Sequence, residues 1–582
     1  MTTRIWFGLS LLVPLYFGLF SLYHAFSYDY IVQDDARLHV VWLQQFVEPQ
    51  LFPDDLIAEY YRTIAPAGFK VVYWLGAQLG IEPLVFAKVL PIGLAIIATV
   101  YLFRVSLLLM NVPAGAFLTI LLQNQSFWTE DDLISAAPRA FIYPIFAAFL
   151  YYLLQRSLIP CAITIVLQGL FYPQLLLISV TVLGLRLRPS PGLVSSEPDN
   201  LLTGRSPYRT PFQTHVLLLL TGLTVMAIVL LTYSQPVSEA FGPLVTATQM
   251  RAMPEFTHPG RSAYFRDSIG FFLQGTSGVL APLYPPILWI SLSLPWLLKS
   301  RLPLAKRITP KVAILGQILV AAFGLFILAH LFFLQLYLPS RYTYYSLRFV
   351  MVMATGMVVV GFLDTGKRWL CRRLQSLTPL TRQEIVLIGL TSTFLGIACW
   401  FPILPGIFLS WQNWIIGPAP AIYRFLATQP SETLIASIAQ EADNLPAFTQ
   451  RSVLFSQELA LAFHPAYYTP MQQRARDLIR AQYSADPSIL NHVIQKYDID
   501  YWLIDRTAFE PDYFQEQPWL VHTSFNNEIQ EAIAQQNPVF PQLVPNCSVV
   551  STETLILLDA ACLREATHPA TRITNDYLKN QK

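Results

Sequence analysis

Residues 1–411 alternate long apolar stretches with short polar loops. Several stretches contain no Asp, Glu, Lys or Arg, among them 5–28, 105–129, 210–238, 268–298, 312–340 and 385–423. Because about 20 apolar residues cross the hydrocarbon core of a bilayer as a helix, this pattern predicts a polytopic α-helical membrane protein. The composition agrees, since 54% of the residues are hydrophobic and 13% are charged, whereas soluble domains carry about 25% charged residues.

Three basic clusters set the expected topology. They comprise Arg186, Arg188, Arg205 and Arg209; Lys299, Arg301, Lys306, Arg307 and Lys311; and Lys367, Arg368, Arg372, Arg373 and Arg382. With the N-terminus in the cytoplasm and about eleven spans, all three clusters lie on the cytoplasmic side, as the positive-inside rule requires. This count needs 158–186 to form two short helices that turn near Tyr172. A single long helix there would invert the downstream half. Clusters of this kind are topogenic signals, so no nucleic-acid partner is expected.

Residues 412–582 differ in kind from the rest of the chain. They contain no spanning run and hold 18 of the 36 acidic residues. Predicted helices at 432–443 and 471–483 and predicted strands at 452–455, 499–505 and 554–558 indicate a folded α/β domain. The chain is therefore divided into two transmembrane modules, 1–187 and 188–411, and an extracytoplasmic domain, 412–582. Cys547 and Cys562 lie in that domain, where they could be bridged or free.

The first outward loop carries two adjacent carboxylates, Asp34 and Asp35, followed by Arg37 and His39. Adjacent acids repel each other unless a cation lies nearby. One could serve as a general base while the other orients or binds a divalent ion. The alternative is a pair that caps the following helix, since Asp is favoured at that position.

A second acidic cluster, Glu130, Asp131 and Asp132, follows the apolar stretch that ends near Phe127. The predicted topology places it on the same face as Asp34. Carboxylate oxygens are hard ligands suited to Mg²⁺ or Mn²⁺, although a helix cap in a solvated turn would also account for the acids.

Two arginines are candidates for binding an oxyanion at the outer interface. Arg341 follows Leu338–Pro339–Ser340 near the start of a span, and Arg261 lies in the external loop 239–267. A guanidinium binds phosphate oxygens in a bidentate manner. The alternatives are an interfacial arginine that extends toward the head groups and an amphipathic interfacial helix.

The order of these features resembles the GT-C superfamily of integral membrane glycosyltransferases. The shared features are a first span, an outward loop with Asp-Asp-x-Arg, a second acidic motif in the next outward loop and a soluble C-terminal domain. The resemblance implies a polyprenyl-phosphate sugar donor and an acceptor outside the cytoplasm, in a bacterial plasma membrane. The chain lacks the Trp-Trp-Asp type of signature of oligosaccharyltransferases, so transfer to asparagine is not expected.

The resemblance also implies roles for individual residues. Asp34 and Asp35 would be catalytic, with Asp34 as the base, and Arg341, Arg37 and Arg261 would bind the donor phosphate. The metal ligands would be Asp35, Glu130, Asp131 and Asp132. A non-enzymatic transporter or assembly factor on the same scaffold is the alternative, but a transporter should place ionisable groups in mid-span.

Overall fold

The computed structural model describes residues 2–187, 211–279, 284–333, 335–375, 381–400, 403–517, 520, 522–535 and 537–567. Five of its helices are long and apolar enough to cross a membrane: Thr3–Ala25, Pro83–Leu109, Phe212–Thr232, Pro310–Leu331 and Ser340–Gln375. Shorter apolar helices include Pro138–Leu154, Leu158–Phe171, Pro173–Leu185 and Pro286–Lys299. These helices fit a multi-pass membrane protein. The count of eleven spans and the boundaries at 187 and 411 stay predictions, and Arg188, Arg205 and Arg209 of the first basic cluster lie outside the described residues.

The predicted break within 158–186 is confirmed. Helices Leu158–Phe171 and Pro173–Leu185 are separated by Tyr172, whose φ of −153° and ψ of 86° are not helical. Proline disfavours the helical conformation of the residue before it, and Pro173 then suits the first turn of the second helix because it lacks an N–H donor.

Two helices approach each other closely beneath the outward loops. A Cβ on Gly356, in helix Ser340–Gln375, would lie 2.1 Å from Thr119 Oγ1 and 3.0 Å from the Gly115 carbonyl oxygen. Both of those residues belong to helix Pro113–Phe127. Small residues allow such backbone approach between membrane helices. The packing brings the outer part of Ser340–Gln375 beside the second acidic cluster.

The tail contains a five-stranded mixed sheet, as the predicted α/β domain requires. Its strands are β3 (Leu434–Ser437), β4 (Ser452–Val453), β5 (Tyr501–Asp505), β6 (Ser548–Ser551) and β7 (Leu555–Asp559), in the order β4-β3-β5-β7-β6. Strand β3 is parallel to β4 and β5, whereas β7 is antiparallel to β5 and β6. The helices around it include Pro420–Ala427, Leu445–Thr449, Pro465–Tyr483, Pro487–Tyr497, Asn526–Ala534, Phe540–Cys547 and Ala560–Thr567.

The helix predicted at 432–443 in the tail is wrong, and the structure shows whether Cys547 and Cys562 are bridged. The segment 432–443 is not one helix: Leu434–Ser437 form β3 between two neighbouring strands, and Gln440–Asp443 form a short 3-10 helix. A buried central strand shows no alternation that would separate it from a helix in sequence. Cys547 and Cys562 form a disulfide, with their Cα atoms 5.5 Å apart.

The first outward loop is held against the tail. Strand β1 (Ile31–Gln33) pairs antiparallel with β2 (Trp414–Ile416). Farther along the loop, the rings of Tyr60 and Tyr467 stack with centroids 3.8 Å apart. The Asp-Asp segment therefore lies between the membrane helices and the sheet domain.

Candidate functional site

The helix Asp34–His39 begins directly after β1, and Gln33 is its N-cap. The Gln33 side chain accepts a hydrogen bond from the Ala36 N–H at 3.2 Å, and the Asp34 N–H donates to the Asn413 carbonyl at 3.1 Å. The alternative in which Asp34 and Asp35 cap this helix is therefore wrong. Gln33 performs the capping, so both carboxylates are available for other partners.

Arg139 joins the two acidic loops. Its guanidinium forms an ion pair with Asp35, lies 3.0 Å from Asp131 Oδ2 and lies 3.3 Å from Asp132 Oδ1. The short 3-10 helix Pro138–Phe141 positions it immediately after the second cluster. The predicted convergence of the two loops on one face is thus present, and the side chain that joins them was not predicted as a site residue.

Arg348 binds the other side of the second cluster. Its Nη2 lies 2.5 Å from Glu130 Oε2 and its Nη1 lies 3.1 Å from Asp132 Oδ2. Tyr143 adds a link, accepting from Arg348 Nη1 at 2.7 Å and donating to Asp132 Oδ2 at 2.8 Å. The Arg348 side chain is fully buried. Because an unpaired buried charge is costly, these contacts explain how it is accommodated.

Burial and the neighbouring arginines shift the pKa values of the four carboxylates in different directions. Burial raises the pKa values of Asp35 and Asp131, with Arg139 acting in the opposite direction, and burial raises that of Glu130 against the effect of Arg348. Burial also acts to raise the pKa of Asp132, but Arg139 and Arg348 together outweigh it, so the net shift is downward. Asp132 is therefore the one of these four acids whose ionised form its surroundings favour, and it contacts both arginines.

Arg341 differs from these two arginines because it has no ion pair with a carboxylate among the described residues, although it interacts electrostatically with Asp35 and Asp132. Its neighbours include Tyr172, Tyr345 and Arg139. Burial together with Arg139 and Arg341 lowers the pKa of His39 to about 4, so that imidazole is neutral at pH 7. Arg341 is thus a cationic group available to an anion.

Arg37 and Arg261 face the tail. Arg37 binds Asp34 Oδ1 through Nη2 at 2.7 Å and Nε at 3.0 Å, and its Nη1 donates to Asn444 Oδ1 at 2.5 Å. Arg261 forms an ion pair with Glu458 and donates to the Glu458 carbonyl at 3.0 Å. The predicted phosphate ligands therefore occupy different surroundings, and Arg341 alone of the three has no carboxylate partner among the described residues.

The acids predicted to bind a metal do not fit a divalent cation as they are arranged. Asp35, Asp131 and Asp132 bind Arg139, and Glu130 binds Arg348. Within the described part of the chain, no group of three or more His, Cys, Asp or Glu side chains has metal-site geometry. A guanidinium contacts one oxygen each of Asp35, Asp131 and Glu130 and both oxygens of Asp132, so a cation would have to compete with Arg139 and Arg348 for these acids.

Two cavities lie near the first acidic loop, and the smaller one reaches the helix Asp34–His39 at Ala36. The smaller, of about 210 Å³, is lined by Gln33 and Ala36, next to the two acids, and by the aromatic side chains of Tyr30, Trp414 and Phe448. The larger, of about 570 Å³, lies between the first loop and the tail and shares Phe448 with the smaller one.

Comparisons with known proteins give structural likenesses only. No protein-family model matches the chain, and no curated protein matches it. Among solved structures, ArnT from Cupriavidus metallidurans bound to undecaprenyl phosphate is 12% identical, with 96% of this chain and 98% of that chain covered and a TM-score of 0.49. The apo oligosaccharyltransferase of Archaeoglobus fulgidus is 12% identical, with 88% and 71% covered and a TM-score of 0.46.

A further structure of the Archaeoglobus fulgidus enzyme, in complex with zinc and sulfate, is 12% identical and has a TM-score of 0.45, with 87% of this chain and 69% of that chain covered. ArnT and the oligosaccharyltransferase are both GT-C membrane glycosyltransferases, the superfamily that the acidic loops of this chain resemble. At these identities and scores, the likenesses support no conclusion about substrate or residue roles.

Proposed function

We propose that this chain is a GT-C-type membrane glycosyltransferase that transfers a sugar from a polyprenyl-phosphate donor to an acceptor outside the cytoplasm, with inversion at the anomeric carbon. The observation that carries this proposal is the convergence of both acidic loops on Arg139, with Arg341 nearby and free of a carboxylate partner among the described residues. A general base and an anion-binding cation next to each other are what this transfer requires.

Asp34 is the proposed base. Its side chain is 29% exposed and its ion pair is with Arg37 alone among the described residues, whereas Asp35 is bound to Arg139 in the joined cluster. In the reaction, the Asp34 carboxylate accepts the proton of the acceptor hydroxyl. The hydroxyl oxygen bonds to the anomeric carbon from the face opposite the phosphate, which inverts its configuration.

Arg341 is the proposed group for the leaving phosphate. As the bond between the anomeric carbon and the phosphate oxygen breaks, the electron pair leaves with the oxygen and negative charge grows there. A guanidinium that contacts no carboxylate directly keeps its hydrogen-bond donors for that oxygen, which favours Arg341 over Arg139 and Arg348. The donor lipid would approach from the membrane helices, and the acceptor through the cavity lined by Gln33 and Ala36.

The transporter alternative is less well supported. The buried arginines of this cluster lie near the N-terminal end of helix Ser340–Gln375, since Arg341 and Arg348 fall in its first nine residues. Ionisable groups of transport pathways are expected near the bilayer midplane.

The test is sugar transfer in membranes containing the wild type, Asp34→Asn, Arg341→Ala or Asp54→Asn, with a panel of radiolabelled polyprenyl-phosphate sugars. Asp54 lies in the same loop and is exposed, so it is the matched control. We expect Asp34→Asn to lower transfer by roughly 10²-fold or more, Arg341→Ala to lower it comparably, and Asp54→Asn to leave it unchanged. If the wild type consumes no donor, or if Asp34→Asn remains fully active, the proposal is wrong.

A further inference from the structure

Arg37 connects the proposed base to the C-terminal domain. Two of its nitrogens contact one oxygen of Asp34, and a third donates to the side-chain oxygen of Asn444, 407 residues later in the chain. The Arg37 side chain is 10% exposed, so few conformations other than this bridge are open to it. The position of the guanidinium at Asp34 thus depends on a residue of the tail.

The amide of Asn444 is itself held in one orientation. Its Nδ2 donates to Glu441 Oε2 at 3.0 Å, and Glu441 Oε1 accepts from the Tyr423 hydroxyl at 2.6 Å. Arginine can only donate hydrogen bonds, so the amide oxygen must face Arg37 and the amide nitrogen must face Glu441. The donor and the acceptor of each hydrogen bond between Tyr423 and Asp34 are therefore defined.

The side chain of the tail that accepts a hydrogen bond from Arg37 is a neutral amide, and not a carboxylate. Asp443 and Glu458 are also close enough to interact with it electrostatically, but the hydrogen-bond acceptor from the tail is an amide. An amide oxygen fixes the guanidinium without forming a second ion pair. Among the described residues, the hydrogen bonds of the guanidinium to a carboxylate are thereby confined to Asp34, whereas a carboxylate at position 444 would compete for them.

We infer that Asn444 is a positioning residue for the transfer reaction: it holds Arg37, and through Arg37 it holds the Asp34 carboxylate in the orientation needed to accept a proton. This inference rests on the proposed function and deepens it, because it makes the C-terminal domain a part of the catalytic centre. Misplacement of a base by a fraction of an ångström lowers the chemical rate without changing how the donor binds.

The test uses the full-length protein in membranes, with Asn444→Ala, Arg37→Ala and the double variant. Asn491→Ala is the control, since it removes another amide hydrogen bond of the same domain, to Thr567. We expect Asn444→Ala to lower kcat roughly tenfold or more with KM for the donor unchanged. The double variant should be no slower than Arg37→Ala, because both changes break the same bridge.

Asn444→Asp adds a variant of nearly identical size, in which a carboxylate replaces the amide. We expect it to lower kcat as well, because the new charge competes with Asp34 for Arg37 and repels Glu441. Unchanged kcat in Asn444→Ala, or losses that multiply in the double variant, would overturn the inference.

Hydrogen–deuterium exchange separates this inference from the proposed function, because it needs no substrate. In Asn444→Ala and Arg37→Ala we expect faster exchange of the amides in 34–39, and no such change in Asn491→Ala. If the wild type transfers no sugar but this exchange pattern is found, the proposed function fails while the positioning contact stands. If exchange in 34–39 is the same in Asn444→Ala and wild type, Asn444 does not position this helix.

Discussion

The guanidinium of Arg348 lies 3.1 Å from the carboxylate of Asp132, a residue 216 positions earlier in the chain. The contact joins the outer part of helix Ser340–Gln375 to the second acidic loop. Below it, Gly356 allows the same helix to contact Thr119 and Gly115. The ion pair with Asp132 and the close contact at Gly356 hold helix Ser340–Gln375 against helix Pro113–Phe127 and the loop that follows it. They thereby fix the position of Arg341 relative to Asp132.

We predict that Arg348→Ala destabilises the protein by about 3–5 kcal/mol, because it leaves Glu130 without its ion-pair partner and leaves the buried Asp132 with Arg139 as its one ion-pair partner among the described residues. Thermal unfolding of the purified protein in detergent measures this loss. Arg368→Ala, on the same helix, removes an ion pair with Asp364 whose arginine is half exposed, and it should change stability by less than about 1 kcal/mol. Equal effects of the two substitutions would show that the buried cluster does not stabilise the fold.

Gly356 provides a test of the helix contact itself. Gly356→Ala places a Cβ against Thr119 Oγ1 and two backbone atoms of the facing helix, and we expect a loss of about 1–3 kcal/mol from overpacking. Gly366→Ala, on the same helix, meets nothing within 4 Å and is the matched control. If Gly356→Ala unfolds at the same temperature as the wild type, the two helices can move apart at this point without loss of stability.

The acids of the site were predictable from sequence, whereas most of their partners were not. Asp34, Asp35 and the second cluster stand out because charges are rare in the first 411 residues. Arg139 was visible beside the second cluster, but nothing local shows that it reaches back to Asp35. Arg348 and Asn444 depend on packing between segments more than 200 residues apart, and spacing along one chain does not contain that information.

Local patterns also failed where tertiary contacts decided the outcome. Asp34 and Asp35 satisfy the preference for an N-cap, yet Gln33 takes that position because pairing of β1 with β2 fixes the start of the helix. Apolar residues of 432–443 fit a helical period, yet neighbouring strands bury them as β3. The break at Tyr172 was predicted because Pro173 acts through the covalent chain alone.

Two buried carboxyls of the tail predict how stability depends on pH. Burial raises the pKa of Glu441 to about 7, against hydrogen bonds from Tyr423 and Asn444, and raises that of Glu458 to about 7, against Arg261. A folded-state pKa above the ordinary value of 4.5 means that the folded protein binds more protons between these two values. The stability that these two carboxyls give the folded protein when they are protonated is therefore fully present below about pH 4.5 and declines as pH rises toward 7.

We expect the melting temperature of the full-length protein to fall between about pH 5 and pH 7 through this contribution. Replacing both carboxyls, in Glu441→Gln with Glu458→Gln, should flatten that part of the curve, because amides do not titrate. Glu553→Gln changes an exposed residue of the same domain and should leave the slope as in wild type. An unchanged slope in the double variant would show that other groups control this pH range.

The arrangement of arginines predicts that sugar transfer, once a donor is found, does not depend on a divalent cation. Each of the four carboxylates expected to bind a metal already contacts Arg139 or Arg348. Transfer rates measured in EDTA, and again after addition of Mg²⁺ or Mn²⁺, should therefore agree with the untreated rate. Arg139→Lys keeps one positive charge but lacks the planar group that contacts Asp35 and Asp131 through Nη2 and Asp132 through Nε, so it should lower the rate in every one of these conditions. If EDTA abolishes transfer in the wild type and Mn²⁺ restores it, then a cation displaces Arg139 from the acids during turnover, and the assignment of Arg139 as their permanent partner is wrong.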